Sequence, residues 1–159
     1  MKPVTVSNLK KELEQYSEQE LIEICLKLAK FKVENKELLS YLLIDSNDEA
    51  EYVRAIKEEI DLEFSKVNQD SLYYVKKSTR KILRSIKKYI RYSKNKETEA
   101  TILLHFCANW KQLKPSHRRS QQMINMYEQQ LSMAKKAVSS LHEDLQYDFN
   151  QDLEQLDEI

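Results

Sequence analysis

Glycine is missing altogether from the 159 residues, and proline occurs only twice. Only glycine adopts left-handed backbone at no steric cost and lets a ligand come close to the main chain. Without it, the phosphate-cradling P-loop, the dinucleotide-binding fingerprint, the calcium-binding helix-loop-helix and the strained serine elbow are excluded in their standard forms. Tight two-residue hairpins depend on glycine as well, so the same absence adds weight to a helical reading. Helix ends fall to asparagine, the next most tolerant residue, and Asn35, Asn47, Asn68 and Asn95 stand at the expected stops. The two cysteines, Cys25 and Cys107, have no motif spacing. Each sits in an apolar helical stretch and reads as a small buried hydrophobe, with nothing of a secreted disulfide framework. No run approaches the ~18 consecutive apolar residues of a membrane span, and residues 1–14 lack the apolar core of a signal peptide. The expected compartment is the cytoplasm, with no membrane partner.

Neither charge sign dominates: Lys and Arg together equal Asp and Glu at 26 each. Hydrophobic residues make up 41% and charged residues 33%, the balance of a folded but heavily solvated chain rather than a disordered one. The length suits one domain, here 1–159, with a subdomain division near residue 70 as the alternative.

Apolar residues recur at three- and four-residue spacing through most of the chain, which predicts an all-α bundle or array of about seven to eight helices. Ser7 is expected to cap a first helix carrying Leu9 and Leu13. Ser17 to Glu20 is a capping-box pattern before Leu21, Ile22, Cys25 and Leu28. Leu38, Leu39, Leu42 and Leu43 mark a third helix, and Asp45 to Asp48 form a polar loop and cap. Tyr52, Val53, Ile56, Ile60 and Phe64 follow on the next, with Lys57 and Asp61 on its solvated face. The stretch Ala100 to Trp110 is apolar nearly all round, so it belongs at the centre of the fold with Trp110 as an anchor. Pro115 ends that segment, and Ser116 is expected to cap the next helix. Met123, Tyr127, Leu131, Ala134 and Val138 line a further face. Ser140 to Glu143 reads as a second capping box before a last, acid-rich helix with Leu145, Phe149, Leu153 and Leu156.

One segment has content beyond folding. Between Ser71 and Lys96 stand ten basic residues and not one acid. Nine of them, Lys76, Lys77, Arg80, Lys81, Arg84, Lys87, Lys88, Arg91 and Lys94, fall within an arc of roughly 140° on a helix. Val75, Ile82, Leu83, Ile86 and Ile90 take the other side. Two readings follow. The acid-rich last helix lies across the arc and neutralises it, each exposed pair contributing little but fixing which helices are neighbours. Alternatively the arc faces solvent and neutralises the phosphates of a nucleic acid. Arg118 and Arg119, near His117, would extend it, and Tyr73, Tyr74, Tyr89 and Tyr92 would either stack on bases or seal the core edge with their hydroxyls in water.

Other constellations fall short of a site. His105, His117 and His142 never stand at i,i+4 ligand spacing, and His105 and Cys107 point about 160° apart on a helix. A zinc site from Cys25, His105 and Cys107 would need three coincidences, so no metal and no cofactor is expected. The carboxylates Glu58, Glu59, Asp61 and Glu63 are indistinguishable from a solvated helix face. No Glu-x-x-His pattern marks a di-iron bundle.

The N-terminal residues Leu9 to Leu13 and Ser17 to Ile22, with Arg80 to Arg84 and Leu103 to Cys107, resemble a bacterial family of small all-helical proteins that is itself a domain of unknown function. The resemblance covers about a third of the chain. It implies a helical fold and a bacterial cytosol, and no functional residues. The reading as a whole is a non-enzymatic interaction or scaffold module acting through a helical surface, with a protein partner or self-association. Nucleic-acid binding through residues 76–94 is the alternative. An enzyme with a histidine or carboxylate site would require a deep groove at His105, and an exposed apolar strip on the last two helices would mark a dimer.

Overall fold

The structure, a computed structural model, describes residues 1–157. Among these residues the fold is all-α: nine α-helices and one 3-10 turn, with no strand. The chain forms two compact units, Met1–Ile44 and Asp45–Ile159.

The first unit holds α1 (Val6–Leu13), α2 (Glu18–Phe31) and α3 (Val33–Leu43). Thr5, not Ser7, caps α1: its hydroxyl accepts from the Asn8 amide, while Ser7 lies inside the helix. The Ser17 capping box forms as expected, each partner satisfying an amide of the other end. Its hydrogen bonds to Ser17 hold the Glu20 carboxyl below the usual carboxylate range. The chain kinks at Lys32, whose backbone is extended, and α3 packs back on α2. The Asn35 side chain donates across the joint to the Leu28 carbonyl at 2.8 Å, so this residue serves a helix start rather than a stop. Tyr41 is the single buried residue of the unit.

The second unit opens with the turn Asp45–Asn47 and contains α4 (Glu49–Ser65), α5 (Leu72–Ser93), α6 (Lys96–Lys111), α7 (Pro115–Arg118), α8 (Gln121–Ser139) and α9 (Glu143–Asp157). As its composition predicts, α6 is central. Ile102, Leu103, Phe106, Cys107 and Trp110 are fully buried, and α8, α4, α5 and α9 all pack on it. Trp110 lies against Tyr127 of α8 at 4.5 Å between ring centroids, and Phe106 against Phe64 of α4 at 5.4 Å. From α5 come Val75, Ile82, Leu83 and Ile86, all buried, and each contributes on the order of 1.5–3 kcal/mol relative to exposure. Polar ties fix the register of the packed helices. Thr98, at the start of α6, donates to Glu49 of α4 at 2.6 Å, and Ser93 donates to the same carboxylate. Tyr127 donates to the Leu156 carbonyl of α9.

Residue 70 does not divide this unit. The loop between α4 and α5 is clipped to the loop before α7: the Lys114 amide donates to the Gln69 side chain at 2.7 Å, and His117 Nε2 lies 2.8 Å from the Gln69 carbonyl. Two expected caps differ as well. Ser120, rather than Ser116, caps α8 after the single turn of α7 that Pro115 begins. Ser140 closes α8 in right-handed backbone instead of opening α9. The one positive φ among the described residues belongs to Lys94, with Asn95 beside it capping α6 through the Glu97 and Thr98 amides.

Candidate nucleic-acid interface

Helix α5 runs unbroken through the basic segment because nothing interrupts it: no proline or glycine, and an apolar stripe that α4 and α6 cover. That burial fixes the helix rotation and therefore the direction of the nine basic side chains. Lys77, Arg80, Lys81, Arg84, Arg91 and Lys94 are exposed, and Lys76, Lys87 and Lys88 half-buried.

The acidic last helix does not lie across them. α9 packs on α6 and α8. Its neutralising contacts go elsewhere: Asp157 pairs with Lys135 of α8, and Lys111 of α6 donates to the Gln155 carbonyl at 2.8 Å. Carboxylates from α4 reach the arc along one edge. Glu63 pairs with Lys81 at 3.3 Å, while also holding Lys66 at 3.1 Å, and hydrogen bonds from these two lysines keep its carboxyl below the usual range. Glu59 accepts from the Tyr89 hydroxyl at 3.1 Å. On the opposite edge Lys76 donates to Gln122 of α8 at 2.7 Å. Between the edges, Lys77, Arg80, Arg84, Lys87, Arg91 and Lys94 have no carboxylate among the described residues within the 4.0 Å of an ion pair.

The tyrosines divide. Tyr92 is buried and Tyr89 half-buried, its ring 5.4 Å from the Lys88 ammonium, so both belong to the core edge. Tyr73 and Tyr74 are 64% and 48% exposed and meet edge-to-face at 5.4 Å. At about 100° per residue Tyr73 falls on the midline of the arc, one turn before Lys77. Tyr73, Lys77, Arg80, Arg84 and Arg91 thus share a stripe roughly 27 Å long at 1.5 Å per residue. Of the two residues expected to extend it, Arg119 is exposed, three residues before the Gln122 that holds Lys76, and Arg118 is half-buried, while His117 beside them is buried and spent on Gln69.

The remaining polar clusters are structural. His105 Nε2 lies 2.6 Å from Asp61, which also accepts from Asn109 at 2.8 Å, fastening α6 to α4. This pair was not visible in the sequence, where Asp61 reads as part of a solvated face. His105, Lys57, Thr101 and Asp152 line a shallow cleft of about 210 Å³ against Phe149, not a deep groove. Burial pushes the Cys107 thiol up to about 12, which leaves it protonated and unreactive. Among the described residues no three His, Cys, Asp or Glu side chains gather in a metal-holding cluster, and no helix is long and apolar enough to cross a membrane. Compared with protein-family models, curated proteins and solved structures, the chain matches none.

Proposed function

We propose that this chain is a non-enzymatic binding module whose working surface is the basic face of α5, and that its partner is single-stranded nucleic acid. The observation that supports this reading is the unpaired centre of the arc: six cations held by a rigid helix with no acidic element over them. Held at intervals of about one turn, they neutralise backbone phosphates and release counterions whatever the sequence. Tyr73, exposed on the same midline, offers an aromatic face for a base that only an unpaired strand can present.

Fluorescence anisotropy with mixed-sequence oligonucleotides tests the reading. Six phosphates neutralised on a single strand correspond to a slope of log K against log salt near −4, or a loss of roughly 300-fold between 50 and 200 mM salt. Arg80→Gln/Arg84→Gln/Arg91→Gln should flatten that slope by about 2. Tyr73→Ala should weaken single-strand binding about tenfold and leave duplex binding and the slope unchanged. No binding at low salt would sink the nucleic-acid reading and send the search to acidic protein partners.

A further inference from the structure

The exposed apolar surface is not on the last two helices, where only Tyr147 among the large hydrophobics is exposed. Of nineteen exposed large hydrophobic residues described, fifteen lie in residues 1–44. A three-helix unit of this size cannot bury its own apolar faces, since chains near 40 residues usually require an added staple or a partner. On α2, Ile22, Cys25 and Leu26 are exposed and Ala29 is half-buried. Their i, i+3, i+4, i+7 spacing makes one continuous seam that no helix of the unit covers.

The charges along α2 say what covers it. Its acids are Glu18, Glu20 and Glu23, and the bases that follow are Lys27, Lys30 and, at the cap, Lys32. About Cys25 the signs reverse position for position: two residues before is Glu23 and two after Lys27, five before Glu20 and five after Lys30, seven before Glu18 and seven after Lys32. The apolar seam is centred within half a residue of the same point. A sequence antisymmetric in charge and symmetric in hydrophobicity is complementary to itself in one orientation. Antiparallel copies about a two-fold axis at residue 25 put every acidic half beside a basic half, and also oppose the helix dipoles. Parallel copies put like charges side by side.

We propose that the chain forms a homodimer through antiparallel pairing of α2, with the two-fold axis passing beside Cys25. The charge gradient sets orientation, and the Ile22–Leu26 seam supplies the buried surface. Helix axes at ordinary packing distances of 8–10 Å, with Cα atoms about 2.3 Å off each axis, bring the facing Cys25 Cα atoms to roughly 3.5–5.5 Å, the upper part of which is within disulfide reach.

Sedimentation equilibrium of the full chain should give a dimer that dissociates on dilution. Ile22→Glu/Leu26→Glu should weaken the association by about tenfold or more, with helical circular dichroism and the fluorescence of Trp110, in the second unit, unchanged. Because those substitutions could disturb the first unit itself, mild oxidation provides an independent reading. Wild type should cross-link to a dimer and Cys25→Ser should not, Cys107 being buried. In the Cys25→Ser background, Ile22→Cys alone should not cross-link, whereas a mixture of Ile22→Cys and Ala29→Cys chains should. A monomer at every concentration, a dimer indifferent to the seam, or self-cross-linking of Ile22→Cys would each overturn the proposal.

Discussion

Cys107 and Tyr127 carry ionisable groups into the interior of the second unit. Burial raises the thiol from its ordinary 9.0 to about 12. It raises the Tyr127 phenol as well, with Cys107 and Asp157 adding to the shift, while the hydroxyl donates to the Leu156 carbonyl. Both groups are neutral in the fold and ionise in the unfolded chain. Their contribution to stability is therefore fully present below the unfolded values and is lost as pH rises from about 9 through the folded ones. Urea melts followed by Trp110 fluorescence should show little change between about pH 7 and 8.5, then a fall of up to ~1.4 kcal/mol per pH unit for each group. Cys107→Ala should lower stability at neutral pH and remove its share of the alkaline slope. The burial of both residues was legible in the sequence, from the all-apolar run of α6 and the spaced face of α8. The Asp61–His105 pair was not, because it joins residues 44 apart through the packing of two helices.

At the scale of the helix, local signals were legible where they were unique. The Ser17 box and the acid-free stretch of α5 both stand as read, since capping and amphipathic spacing act within a turn or two. Ser7 and Ser140 misled because a hydroxyl caps only from a residue whose own backbone is extended: Thr5 takes that place before α1, Ser7 lies inside the helix, and Ser140 is held in right-handed backbone at the end of α8. Absence of glycine pointed to asparagine at the left-handed stops, yet α5 ends on Lys94 at φ 55, its amide donating to the Ile90 carbonyl at 2.9 Å. A β-carbon in that conformation costs on the order of 1 kcal/mol. Lys94→Gly should accordingly raise stability by about 0.5–1 kcal/mol in urea or thermal melts, and Lys94→Val should lower it.

For the second unit as a whole, what the sequence left open was which helices become neighbours. Charge alone favoured laying acidic α9 on basic α5, but α9 instead puts Leu153 and Leu156 into the core beside α6 and α8. Burying apolar surface outweighs exposed ion pairs worth a few tenths of a kcal/mol each. The unit therefore keeps these two helices apart, both packed on α6: α5 has eight bases and no acid, α9 six acids and no base. Within a chain of no net charge the second unit is in this way polarised from α5 to α9, as an electric dipole is. In dilute buffer such molecules attract head to tail, and added electrolyte screens that attraction within a Debye length of about 10 Å at 0.1 M. The protein should salt in: at neutral pH its osmotic second virial coefficient, read by static light scattering, should be negative in low-salt solution and climb as salt is added, so that it dissolves best where the proposed hold on phosphates would be weakest.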